Sequence, residues 1–397
     1  MSDLDVHVIA AKRSAFGRYL GTLAAVDPID LASVVARAAL GQAGGAGAHI
    51  DHVFVGNCIQ ATFASPSTNG RQISLALGLN EFSVTVDTAC CSPLTGLRLA
   101  TWGHAGGRLG TSLLLGVEMM SRTPHLLRDL RGGVKAGAAQ LQDPIYPIEY
   151  KGYSSVAVDA STGAEKHGIS KLTLDAWALG SQQKWARAEK AGFFRDEIVP
   201  VPVKGKKGEV LFDRDEFPRP DSTYARLQAL PPIFGSRTTT AGNAPGLNDG
   251  ASAVVLASGS RVRETGAATL GKVLAAEGYA GEPDGISWVP GMAIRKALRA
   301  AGLGLDRIDV IEINEAFAAM PLVSTKLLAG DDEALWLSLL GRTNPNGGAI
   351  AIGHPVGASG LRILMTMIYE LRRRGGGRGV CAICGGLSQA EAVVVEV

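Results

Sequence analysis

The sequence predicts an α/β protein built from two copies of one strand–helix unit, with a long insertion in the first copy. Three observations carry this reading. Residues 35–55 (VARAALGQAGGAGAHIDHVFV) and 293–313 (AIRKALRAAGLGLDRIDVIEI) align without a gap at an offset of 258. That register superimposes Arg37 on Arg295, Leu40 on Leu298, Ala43-Gly44 on Ala301-Gly302 and Ile50-Asp51 on Ile308-Asp309. Each copy shows helical spacing, an Ala-Gly stop, a turn and then an apolar run suited to a buried strand. Further apolar runs at 6–10, 111–117, 251–256, 379–383 and 392–397 suit a mostly covered sheet, and their alternation with helical patterns indicates βαβ units.

The element reading follows the chain. Phe82–Val86 is β-rich and leads into a helix whose first turn holds Ser92 and Pro93. Residues 119–250 are more polar and irregular, although Lys171–Lys190 reads as an amphipathic helix and KGKKG at 204–208 as an exposed turn. The expected organisation is 1–118 plus 251–268 as the first half, 119–250 as the insertion and 269–397 as the second half. Arg372–Arg374 followed by three glycines reads as a solvated helix end and its stop.

Composition narrows the function. The 397 residues hold 39 Lys+Arg against 37 Asp+Glu, a net +2, which argues against a dedicated nucleic-acid binder. Hydrophobic residues make up 46%, enough for a sizeable core. The 51 glycines show no Gly-X-Y period, which leaves tight turns and close backbone approaches as their use. No apolar run reaches the ~18 residues of a membrane span. The amino terminus is acidic before it is apolar and does not read as a secretory leader. Five cysteines are too few for a disulfide framework in so long a chain. A cytoplasmic protein is expected.

Three residues stand where chemistry could occur. Cys90, in TVDTACCSPLTGLRLA, lies at a strand-to-helix junction, where unpaired N–H groups and the helix dipole favour a thiolate. The alternative is a small buried hydrophobe. His354 lies in NPNGGAIAIGHPVGASG, a loop dense in glycine, and suits either proton transfer or simple loop hydrogen bonding. Cys381 and Cys384 form a CxxC pair inside an apolar strand, and their odd separation sends them to opposite faces, which opposes a shared metal or disulfide. Cys384, before Gly385-Gly386, is the one expected to face a site, with Cys381 and Cys91 as packing residues. Asn314 closes the strand IDVIEI at its carboxyl end, where α/β ligands bind, and it could instead cap a helix over 315–320. Glu118, in GVEMMSR, reads as a buried structural carboxylate.

These segments together resemble the thiolase family. DTACCSPL, INEAFAA at 313–319, NPNGGAIAIGHPVGASG at 344–360 and CGG at 384–386 carry the resemblance. AAKRSAFG at 10–17 and TAGNAPGLNDGASAV at 240–254 extend it nearly end to end. The resemblance implies two βαβαβαββ halves stacked as a five-layer αβαβα sandwich, with 119–250 as a loop domain covering the site and contacting coenzyme A. It implies Cys90 as the acylated nucleophile, His354 as its base and Cys384 as the second acid/base. Asn314 would hold the water of one oxyanion hole, and the N–H groups of Cys90 and Gly386 would form another. Arg219, Ala244, Pro245 and Phe317 are the implied coenzyme A contacts. Acyl-CoA and CoA are then substrates, with no metal or redox cofactor, and a homodimer or homotetramer is expected.

The chain departs from the family pattern at Cys91, Pro93, Pro245, Ser155-Val156 and the segment Leu387, Ser388, Glu391. These changes motivate a second reading, a catalytically weak homologue acting as a binding or assembly subunit. A third, a ketoacyl synthase-like condensing enzyme, is opposed by Cys384 and by NEAF at 314–317.

Overall fold

A computed structural model of the protein describes residues 5–128, 130–133, 136–145, 150–205 and 208–397. The first half runs β1 (Val6–Ser14), α1 (Pro28–Ala43), β2 (His52–Gly56), α2 (Asn69–Ala76), β3 (Phe82–Val86), α3 (Ser92–Ala105) and β4 (Thr111–Met119). After an excursion that contains α4 (Lys171–Lys190), it closes with β5 (Asn248–Ser258). The second half runs β6 (Gly271–Ala280), α5 (Val289–Ala301), β7 (Val310–Ile313), α6 (Ala319–Ala329), α7 (Ser359–Arg373), β8 (Arg378–Gly385) and β9 (Gln389–Glu396).

The strands lie in the order β7-β8-β9-β6-β1-β5-β4-β2-β3, so the two halves meet where β1 and β6 pair antiparallel, Val6 opposite Val273. Each half repeats one local design. α1 stops at Gly44 (φ 60°) and α5 at Gly302 (φ 68°), positions 258 apart, and the strands that follow start at His52 and Val310, again 258 apart. Glycine serves at both stops because it enters positive φ without a Cβ penalty. In the second half the third strand is reduced to a single bridge, Ile311 with Thr343.

Burial explains the layering. α1 packs on β1, β4 and β5, while α5 packs on β6, β8 and β9. Between the two half-sheets lie α3 and α7, which touch strands of both halves and each other. Residues of α7 from Ser359 to Leu371 are all buried. The middle layer joins Val6, Val8, Leu94 and Leu97 to Leu361, Leu364, Val393 and Val395 in one apolar cluster. A helix buried on every side is what a central layer requires. The result is the five-layer αβαβα sandwich.

Lys171–Lys190 is a helix with the bounds its periodicity predicts, capped by the Ser170 side chain on Thr173 N. The excursion is clamped to the first half by buried Arg13, which pairs with Glu197 and Asp215, each at 2.7 Å. Of KGKKG, residues 206 and 207 lie outside the described residues; Gly205 and Gly208 pair at the end of a two-stranded hairpin. Arg373 and Arg374 at the end of α7 pair with Glu370, and Gly375 to Gly377 all take positive φ, as expected of a helix stop. Among the described residues no helix is long and apolar enough to cross a membrane.

The alternative role of Asn314, capping a following helix, is not the one it takes. No helix spans 315–320: α6 begins at Ala319, and Asn314 caps nothing. Its backbone N–H continues the strand by donating to Ala382 O at 2.9 Å, and its side chain turns toward His354 instead.

Candidate active site

Cys90, His354 and Cys384 line one cavity of about 510 Å³, joined by Gly386, Phe317, Ala244 and Pro245. Cys90 comes from the β3–α3 junction, His354 from the loop before α7 and Cys384 from the end of β8, so both halves contribute to one site. Cys384 and Cys381 sit on opposite faces of β8, as their odd spacing requires: Cys381 packs in the middle layer, and Cys384 faces the cavity. Cys91 is buried and donates its Sγ–H to Ile383 O at 3.3 Å, a packing role.

The nucleophile's junction is tightly turned. Ala89 takes φ 52°, a left-handed value unusual for a residue with a Cβ. Asp87 accepts the Ala89 N–H at 3.0 Å, and Ser92 Oγ accepts the Thr88 N–H at 2.9 Å. Cys58, which the sequence reading left out, lines the same cavity and donates to Ala89 O at 2.8 Å. Beneath it Glu118 is fully buried and accepts from Asn57 Nδ2, Cys58 N and Ile59 N at 3.0 to 3.2 Å. This is the structural carboxylate expected from sequence.

The hydrogen-bond network fixes the tautomer of His354. Arg362 can only donate, and it reaches Asn314 Oδ1 at 3.2 Å, so the Asn314 amide must turn its Nδ2 toward His354 Nε2, 3.4 Å away. Nε2 then carries the lone pair and Nδ1 the proton. That proton goes to Ser359 Oγ at 2.7 Å, whose own hydroxyl donates to Pro355 O at 3.0 Å. The His354 backbone N–H is held by Asn248 Oδ1 at 2.9 Å, and Gly353 beside it needs φ 106°, with the Asn248 side chain filling the space a Cβ would take. Likewise a Cβ on Gly116 would strike Gly357 O, so β4 admits the histidine loop only because it has glycine there. Ser359 and Asn248 lie inside the segments 344–360 and 240–254, where nothing local assigns them a role, and Arg362 lies outside any of the quoted segments.

Burial sets the resting protonation states. It holds His354 far below the ordinary imidazole range, at about 3, and the Arg362 charge adds to this. It pushes Cys384 up to about 12 and pushes Cys90 well above the usual thiol range, with Cys384 and Glu118 reinforcing the latter. The thiolate expected at Cys90 is therefore corrected to a thiol at rest. A helix N-terminus contributes ~0.3–1 kcal/mol, less than desolvating the sulfur costs.

A second pocket of about 200 Å³ shares Ala244 with the first as a lining residue. Arg219, Arg226, Gln182 and Phe217 line it, and the Arg219 guanidinium lies 5.2 Å from the Phe217 ring centre. Of the four expected coenzyme A contacts, Pro245 and Phe317 lie in the first cavity, Arg219 in the second, and Ala244 between them.

The fold and site define a duplicated α/β sandwich with Cys90, Cys384, Cys58 and a neutral imidazole at one cavity. Comparison with known proteins agrees with that class. The profile of the thiolase N-terminal domain matches residues 6–260 and that of the thiolase C-terminal domain residues 267–397. The chain belongs to the thiolase family. It is 39% identical over 409 residues to beta-ketoadipyl-CoA thiolase of Pseudomonas knackmussii, with 99% of each chain covered. It is 36% identical over 397 residues to mitochondrial 3-ketoacyl-CoA thiolase of Bos taurus, with 98% of each covered. The crystal structure of human mitochondrial 3-ketoacyl-CoA thiolase in complex with CoA superimposes with a TM-score of 0.90 at 35% identity, covering 98% of this chain and 97% of that one. Acetyl-CoA acetyltransferase of Bacillus anthracis gives 0.93 at 32% identity, with 99% of each covered.

Proposed function

We propose that the protein is an active acyl-CoA C-acyltransferase that catalyses reversible thiolysis of 3-ketoacyl-CoA by CoA through an acyl-Cys90 intermediate. The observation that carries this reading is the single cavity uniting Cys90, His354 and Cys384 from both halves. With thiol and imidazole both neutral at rest, the proton leaves Cys90 for His354 Nε2 as sulfur attacks the keto carbonyl. The protonated Nε2 is then a donor, and Asn314 stands beside it. Breaking the carbon–carbon bond releases the α-carbon of acetyl-CoA, which takes a proton from Cys384. CoA thiol then gives its proton to the Cys384 thiolate and attacks acyl-Cys90, with Cys90 and Gly386 N–H groups facing the oxyanion, and Cys90 sulfur leaves and recovers its proton from His354. The scheme balances without a metal or redox cofactor.

CoA is proposed to run from the cavity past Ala244 and Pro245 to Arg219 and Arg226, whose charges suit its phosphates. Residues 119–250 are proposed as the domain that covers the site, between halves at 1–118 plus 251–268 and 269–397. A homodimer or homotetramer fits the edge position of β3, whose Phe82 is 67% exposed. Five free thiols suit a reducing cytoplasm. The test is thiolysis of acetoacetyl-CoA and longer 3-ketoacyl-CoAs, followed by loss of enolate absorbance. Turnover lost in Cys90→Ala and Cys384→Ala supports the reading; no turnover at any chain length despite CoA binding favours the non-catalytic homologue.

A further inference from the structure

We propose that the hydroxyl of Tyr150 is a further hydrogen-bond donor to the carbonyl oxygen of the acyl group carried by Cys90. The proposal rests on the thiolase reading above and adds a catalytic residue to it.

Tyr150 lies within the stretch 119–250, outside the segments that carry the family motifs. It lines the cavity together with Cys90, His354, Cys384 and Gly386. Its phenol lies against Gly386: a Cβ on that glycine would collide with Tyr150 Oη and sit 2.7 Å from its Cζ and 3.3 Å from Ala89 Cβ. Oη therefore lies close to Gly386 and near Ala89, the residue before Cys90, on the wall of the cavity that a carbonyl oxygen of an acyl group on Cys90 can face. Among the described residues the hydroxyl has no hydrogen-bond partner. A cavity-facing phenol without a protein partner is able to donate to a substrate oxygen.

The hydroxyl keeps its proton throughout the working range. Burial, reinforced by Cys90, Cys58, Asp87 and Cys384, pushes it up to about 12. It therefore serves as a donor and not as a base. In the acyl-transfer step CoA sulfur bonds the acyl carbon, the oxygen gathers negative charge, and the bond to Cys90 sulfur then breaks as that charge returns. A donor aimed at this oxygen is worth more in the transition state than in the ground state. Because Tyr150 belongs to the insertion, the two halves alone would lack this donor.

The test compares wild type with Tyr150→Phe, which keeps the ring and removes only the hydroxyl. Steady-state thiolysis is measured alongside alkylation of Cys90 by iodoacetamide, a reaction that builds no oxyanion. The expected result is a fall in kcat of about 10- to 100-fold, at or below the usual loss for one oxyanion donor. KM should stay within about threefold and alkylation at the wild-type rate. Turnover within twofold of wild type would overturn the proposal. So would an equal fall in turnover and alkylation, because that marks a packing role. Wild type inactive on every substrate would instead sink the thiolase reading itself, a distinguishable failure.

Discussion

Arg362 donates to Oδ1 of Asn314 at 3.2 Å, and that bond decides which nitrogen of His354 is free to accept a proton. Asn314→Ala removes the group facing Nε2. We expect kcat for thiolysis to fall by on the order of 100-fold with little change in KM, as for loss of an oxyanion-hole group. Ser359→Ala strands the Nδ1 proton in a buried site. It should cost about 1–3 kcal/mol in urea unfolding and also lower kcat. An unchanged kcat in both variants would show that the tautomer is set elsewhere.

Labelling of Cys90 by iodoacetamide should climb steeply with pH. Because burial raises its thiol, the neutral form prevails at pH 7, and the rate should rise about tenfold per pH unit through pH 9. Cys90 should still label before Cys91, Cys381 and Cys384, which are buried. Acyl-CoA should protect it. A rate already flat between pH 6 and 8 would mean that the thiolate exists at rest.

Glu391, one of the departures from the family pattern, ties the two halves together beside the site. Its carboxylate takes two bonds from Arg98, at 2.7 and 2.8 Å, and one from Thr95 at 2.9 Å, joining β9 to α3. Glu391 is 7% and Arg98 19% exposed, so the pair is only partly shielded. Glu391→Ala should cost about 2–3 kcal/mol in chemical denaturation, below the range for a fully buried pair. A loss under 0.5 kcal/mol would mean that solvent already screens it.

Stability should also report on Glu118. Burial raises its carboxyl from the ordinary 4.5 to about 7. The folded protein therefore holds a proton that the unfolded chain releases between those values, so this group's contribution is present below pH 4.5 and is lost as pH rises to 7. In Glu118→Gln that dependence disappears. The stability of the variant relative to wild type should improve by on the order of 3 kcal/mol from pH 4.5 to 7.5, read from paired denaturation curves. Parallel curves would place the carboxyl at its ordinary value.

What could be read from the chain was local. The bounds of Lys171–Lys190, the paired stops at Gly44 and Gly302, and the opposed faces of Cys381 and Cys384 all follow from periods of 3.6 and 2 residues and from glycine's freedom at positive φ. Cys90, His354 and Cys384 stood out because each lies in a distinctive run of small residues. Cys58, Tyr150 and Arg362 carry no such mark, Ser359 and Asn248 lie in marked segments that do not reveal their partners, and the start of α6 at Ala319 departs from the spacing after Asn314.

The amino-acid order alone therefore settled the repeated unit, its elements and the reactive side chains. Folding decided who meets whom, and in which protonation state. The burial that packs α3 and α7 between the half-sheets brings sulfurs from opposite ends of the chain to one cavity. The same burial strips water from them, a cost that outweighs the modest pull of one helix terminus, so Cys90 rests as a thiol.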